Sequence, residues 1–134
     1  MLQMFPTRTL PEIRINSDDY NRVLLLAEAV ERTLPYVSFY LERELQRAAI
    51  CYPWEPAGVS MGTIARFRVN GEPQTRSGRL TYPGVTDPQS GDICILTPLG
   101  AALIGMHPGN SIDWMEDNRL HTVTVENAGP SLAS

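Results

Sequence analysis

The hydrophobic pattern of this chain changes period once, near residue 53. Before that point apolar residues recur every three or four positions, the spacing of one helix face; beyond it they alternate, the spacing of a half-buried strand. Val23, Ala27, Val30 and Leu34 form a first seam, widened by Leu24 and Leu26. Val37, Leu41, Leu45 and Ala48 form a second, flanked by Phe39 and Tyr40. Ser17 is placed to cap the first helix, with Asp18 and Asp19 in the first turn, where the macrodipole favours acids. Leu34-Pro35 ends that helix, because the residue before proline leaves the α region, and Pro35 then opens the second. The pattern predicts an antiparallel pair of amphipathic helices on a very short link, each about four turns or roughly 24 Å long.

The flanking segments read differently. Residues 1–16 form an extended arm: Pro6 and Pro11 disfavour helix, while Ile13 and Ile15 alternate around Arg14 and can dock it on a neighbour. Tyr52-Pro53-Trp54-Glu55-Pro56-Ala57-Gly58 stops helical structure and predicts a boundary, with residues 1–52 before it and 53–134 after it. Alternation from Val59 to Val69 predicts a strand, and Asn70-Gly71 a hairpin turn. Arg76–Tyr82 is a second strand closed by Pro83-Gly84, and a polar loop follows to Gly91.

Ile93–Trp114 is the most densely punctuated stretch. Ile93–Leu96 reads as a short strand, Thr97 as an N-cap and Pro98 as the first helical residue. Leu99, Ala102, Leu103 and Met106 keep helical spacing, Gly105 supplies a left-handed C-cap, and His107-Pro108-Gly109-Asn110 is a type II turn. Ser111–Met115 resumes as a strand. The Asp117-Asn118 turn then leads into Leu120–Glu126, and the tail from Asn127 to Ser134 shows no pattern. The predicted class is α+β: an N-terminal antiparallel helical hairpin, a short coiled coil, followed by a mainly antiparallel sheet domain with one short helix.

Composition narrows the function classes. At 134 residues, 43% hydrophobic and 19% charged, the chain has the make-up of a globular protein with one ordinary core. Its net charge is −4 and it contains no lysine, a bias that genomic base composition accounts for. A mildly acidic chain does not bind nucleic acid broadly through phosphate charge, and an anionic membrane surface does not attract it. No apolar run approaches a membrane span, and prolines interrupt the N-terminus where a signal peptide needs an unbroken one. Cys51 and Cys94 are too few for a disulfide scaffold, so a cytoplasmic chain with reduced thiols is expected.

Candidate chemistry is sparse. His107 and His121 have no cysteine or carboxylate at metal-ligand spacing, and Ser60 and Ser90 have no identifiable base. Cys94 lies in an apolar strand, where thiolate formation is suppressed. Asp113, Glu116 and Asp117 cluster at the last turn, either as a cation site or as solvated turn acids. Arg66, Arg68, Arg76 and Arg79 gather across the Asn70-Gly71 hairpin, a basic patch for phosphate or an acidic partner, or a solubilising face. The helical tip, Thr33-Leu34-Pro35-Tyr36, carries no pair of acids to hold a divalent metal. Phe67, Tyr82 and Trp114 read as core. The residues assign no catalytic, cofactor-binding or metal-binding role.

Leu80-Thr81-Tyr82-Pro83-Gly84, Thr97-Pro98-Leu99-Gly100-Ala101-Ala102-Leu103-Ile104-Gly105, Ile112-Asp113-Trp114 and Leu45-Gln46-Arg47-Ala48 together resemble the Gre transcript-cleavage factor family, most closely its shorter members. The likeness spans about residues 12–126. It implies an FKBP-like C-terminal domain joined to an antiparallel coiled coil, and docking on RNA polymerase at the secondary-channel entrance through the β′ coiled coil. By position, the docking residues of the family correspond to Leu96, Thr97 and Pro98, with Leu96 replacing an acid. The family's cleavage factors have a hairpin roughly twice as long, whose acidic tip brings Mg²⁺ to the active site. The resemblance therefore implies a regulator that competes with Gre factors without cleaving RNA, with no cofactor and no sequence-specific nucleic-acid binding. The alternatives are a divergent cleavage factor using Glu28, Glu31 or Glu42, and an FKBP-like peptide-binding or isomerase module.

Overall fold

Asn16, one residue before the expected cap, starts the first helix. Its side chain accepts the Asp19 N–H at 2.9 Å and donates to the Asp19 carboxylate at 3.1 Å. Ser17 and Asn16 are both good caps; Asn16 takes the role because it is the last extended residue of the strand before the helix. Asn16→Ala is expected to cost about 1 kcal/mol in urea unfolding while Ser17→Ala is close to neutral, which is the reverse of what the local sequence favours. The computed structural model describes residues 10–129, so the first nine residues of the predicted arm and the last five of the tail lie outside it.

Helix α1 covers Ser17–Ala29 and α2 Pro35–Arg47, 13 residues each. At 1.5 Å per residue each is about 20 Å long, shorter than the expected 24 Å. Pro35 keeps Leu34 out of the α region (φ −131°, ψ 65°), and reversing the chain takes up Val30–Leu34, so α1 unwinds before its seam ends. The buried Ser38 hydroxyl donates to the Ala27 carbonyl at 2.8 Å and ties the helices together beside that link.

The end of the arm is docked, as Ile13 and Ile15 imply. Strand β1 (Arg14–Asn16) pairs in parallel with β2 (Ala49–Cys51), and both isoleucines are buried. Strand β2, three residues long, is too short to carry a period of its own, so no sequence pattern announces it. A second sheet contains β3 (Ile64–Val69), β4 (Arg76–Thr81), β5 (Ile93–Cys94), β6 (Ser111–Glu116) and β7 (Arg119–Gly129) in the order β5-β4-β3-β7-β6. Only β4–β5 is parallel.

Strand β3 begins five residues later than the alternation from Val59 suggests. Val59 instead bonds to Met106, and the Gly62 N–H donates to the Leu80 carbonyl with Gly62 at positive φ. Asn70 and Gly71 turn with positive φ as expected, but β4 resumes only at Arg76, so the loop is wider than a two-residue hairpin. Asp117 and Asn118, both at positive φ, make the tight turn between β6 and β7.

Helix α3 (Pro98–Leu103) starts as its punctuation predicts, the Thr97 hydroxyl accepting the Gly100 N–H at 3.0 Å, but it ends before Met106 with Ile104 extended. Gly105, at φ +77°, sits in the turn that follows and donates its N–H to the Val59 carbonyl instead of capping the helix. One buried cluster joins Val23 and Ala27 of α1, Val37, Leu41 and Leu45 of α2, Phe67, Leu80, Val123 and Val125 of the sheet, and Leu103. The Tyr40 hydroxyl accepts the Met115 N–H at 2.9 Å and fastens α2 to the edge strand β6. Among the described residues, no helix is long and apolar enough to cross a membrane.

Candidate partner-binding site

The corner before α3 is held by its own hydrogen bonds. The Thr97 hydroxyl donates to the Cys94 carbonyl at 2.7 Å while accepting the Gly100 N–H. Its proton is therefore committed internally, and what the corner offers outward is the half-exposed apolar surface of Leu96 and Pro98.

Pro98 does not stand alone. It lines a cleft of about 310 Å³ with Tyr36, Met115, Glu116, Asp117 and Asn118. Tyr36 comes from the first turn of α2, so two groups singled out separately in the sequence, the helical tip and the α3 corner, share one surface. Tyr36 is 76% exposed. Thr33, Leu34 and Pro35 are exposed in the link beside it. The Trp114 indole N–H donates to the Glu116 carboxylate at 3.1 Å and orients it, while Asp117 is exposed in the turn.

The acids near that turn do not converge on a cation. Asp113 is buried and accepts the Thr122 hydroxyl at 2.6 Å, apart from the roles of Glu116 and Asp117. Among the described residues, no group of three histidines, cysteines or acids is placed to hold a metal ion. His121 stacks on Trp114 with ring centroids 5.3 Å apart, and His107 is half-buried in its turn. Cys51 and Cys94 are free thiols.

The four arginines lie on the adjacent strands β3 and β4, and the charge of two of them is answered by an acid. Arg68 pairs with Glu126 and donates to the carbonyls of Glu72 and Pro73; Arg76 pairs with Glu72 at 2.9 Å. Arg79 donates to the Gly62 carbonyl at 2.7 Å, and Arg66 is exposed on the outer sheet face. The hydrogen bond from Arg68, then that from Thr75, holds the Glu126 carboxyl below the usual carboxylate range.

Two arrangements are announced by no local pattern, although Glu31 and Glu42 are named singly for the cleavage alternative. Glu31, in the link, lies beside Glu42 of α2, and this carboxyl neighbour raises the Glu42 pKa, with burial and Glu28 adding to it. The residues Thr33–Tyr36 carry no acids, but an acid pair lies one step away. On the opposite side, Asp19 accepts the Met61 N–H at 3.0 Å, and the Arg22 guanidinium sits 4.0 Å from the Tyr82 ring centroid. Burial, then the neighbouring Asp19 charge, pushes the Tyr82 phenol up to about 12. Burial also raises the Asp19 pKa, against the lowering effect of the Met61 N–H. Asp19 and Tyr82 are far apart in sequence and belong to different elements, so no local period announces them. Tyr82 lines a second cleft, with Asp19, Arg22 and Met61, while Phe67 and Trp114 are buried in the core, so the three aromatics do not form one pocket.

A helix pair packed on a curled sheet, with a capped short helix at one corner, defines a Gre-type transcription factor fold. The solved prokaryotic transcription elongation factor GreA/GreB from Nitrosomonas europaea matches with a TM-score of 0.67 and 31% identity, over 87% of this chain and 98% of that one. The chain is also 34% identical over 107 residues to the regulator of nucleoside diphosphate kinase of Escherichia coli (strain K12), covering 78% of each. The regulator of the same name from Shigella flexneri matches to the same extent. No family model matches. The chain belongs to the family of the regulator of nucleoside diphosphate kinase.

Proposed function

We propose that the protein is a non-catalytic transcription regulator that docks on the β′ coiled coil at the secondary-channel entrance of RNA polymerase and competes there with Gre factors. In this reading, residues 53–134 form the FKBP-like docking unit, with Leu96, Thr97 and Pro98 at the contact. Residues 1–52 supply a short antiparallel coiled coil that occupies the channel mouth. The observation that carries it is the pairing of a docking corner with helices of 13 residues each, whose tip, Thr33–Tyr36, has no acid. Arms of about 20 Å fall well short of the hairpin, roughly twice as long, that the resemblance assigns to the cleavage factors.

The Glu31–Glu42 contact favours a second reading, a divergent cleavage factor. Two neighbouring carboxyls that disfavour each other's ionisation are an arrangement that a divalent cation could bridge. Binding of the full chain to bacterial core RNA polymerase, paired with cleavage of a backtracked transcript, separates the two. The regulator reading predicts micromolar or tighter binding and no cleavage above background. Cleavage that is lost on Glu31→Ala or Glu42→Ala establishes the second reading, and absence of binding removes both.

A further inference from the structure

The cleft between Tyr36 and Pro98 has a composition that neither apolar docking nor metal binding uses fully. Its lining combines the apolar Pro98 and Met115, the exposed aromatic Tyr36, and the polar Glu116, Asp117 and Asn118. A divalent cation is poorly served there. One carboxylate is already bonded to the Trp114 indole, and no set of three metal-capable side chains exists among the described residues. A nucleic acid is repelled by the two acids and by the net charge of −4.

We infer that this cleft receives the side chain of an arginine presented by a basic segment of a protein partner. A guanidinium is planar and can lie against the exposed Tyr36 ring while its edge donates to carboxylates. Its methylene stem covers Pro98 and Met115. The Trp114 indole holds the Glu116 carboxylate in place beforehand, which lowers the ordering cost of the contact. Lysine suits the cleft less well, because a compact, strongly hydrated ammonium neither stacks nor bonds two acceptors in a fork. The acids stand beside Pro98, so Glu116 and Asp117 provide at the β6–β7 turn the negative charge that Leu96 does not. This inference relies on the polymerase reading only for the identity of the partner that presents the arginine.

The test uses two probes on the full chain. In the first, N-acetyl-arginine amide and N-acetyl-lysine amide are titrated separately while backbone and indole N–H resonances are followed by NMR. In the second, affinity for core RNA polymerase is measured for the wild type and for Glu116→Gln with Asp117→Asn. Both substitutions preserve the fold: glutamine keeps an acceptor for the Trp114 indole, and asparagine is well suited to the positive φ of 54° at residue 117. Arginine amide is expected to shift Trp114, Met115–Asn118 and Tyr36 with millimolar affinity, more strongly than lysine amide, and the double variant to lose the response. The variant is also expected to bind polymerase about tenfold more weakly at low salt, with the gap closing as salt rises. Arginine shifts that miss the cleft, or a double variant that binds polymerase as the wild type does, overturn the inference and leave the polymerase reading standing. Arginine shifts in the cleft without wild-type polymerase binding do the opposite.

Discussion

Alanine at Gly58 is expected to lower the melting temperature by roughly 10 °C or more, the largest loss from a single added carbon in this chain. At Gly58 a Cβ would sit 2.0 Å from the Gly105 oxygen, 2.3 Å from its carbonyl carbon and 2.7 Å from the Met106 oxygen. These are backbone atoms, and three segments cross there. The Gly58 N–H donates to the Arg14 carbonyl at 3.0 Å, the Arg14 N–H to the Gly105 carbonyl at 3.1 Å, and the Gly105 N–H to the Val59 carbonyl at 2.8 Å. Relief requires pulling the docked arm or the end of α3 away, which exposes Ile13 and Ile15 and breaks several hydrogen bonds of about 1 kcal/mol each. Gly62→Ala is the control. Nothing lies within 4 Å of a Cβ there, so only the strain of positive φ remains, about 1 kcal/mol. Calorimetry of the two variants checks the claim; similar melting points would show that the crossing is not close-packed.

Glu44→Ala is expected to cost about 2–3 kcal/mol. Its side chain is 1% exposed, with Arg47 Nη2 at 2.6 Å and Arg43 Nε at 3.0 Å. Arg47 also donates to the Pro11 carbonyl, so this acid links α2 to the arm. Removing it leaves two cations whose side chains are 19% exposed, enough to reach water in part, which keeps the cost below that of a fully buried orphan charge. Glu44→Gln keeps the volume and one acceptor and should lose about half as much. Urea unfolding with an unchanged m-value is the measurement, and a loss under 0.5 kcal/mol for the alanine variant would contradict the linkage. Glu44 also faces Pro98 and Ala101 across the seam between α2 and α3. The same variant therefore loosens the helices from the proposed docking corner.

Local chemistry was readable where one residue type permits one backbone state. Thr97-Pro98, Pro108-Gly109 and Asp117-Asn118 each fold as their dipeptides demand, because a cap, a fixed φ or a positive φ is decided within a few residues. Pairing between distant segments was not readable. Strand β2 exists because β1 lies beside it, and Asn16 caps α1 because it ends β1. The candidate site shows the same division. Tyr36 and Pro98 stood out singly, but their meeting with Glu116 and Asp117 depends on α2 lying across α3 and the β6–β7 turn. Sequence alone leaves Arg68 and Arg76 open between a basic patch and a solubilising face, since their partners Glu126 and Glu72 are selected by strand register and loop geometry.

Competition on the polymerase tests the central claim most directly. A backtracked elongation complex is supplied with a Gre cleavage factor, and this protein is titrated in. The account predicts that transcript cleavage falls to background as the protein saturates the complex, and that the protein alone cleaves nothing. A Pro98 variant that melts like the wild type should compete less well, which separates docking from scaffold. Cleavage that persists at saturating protein, or that the protein itself supports, would contradict it.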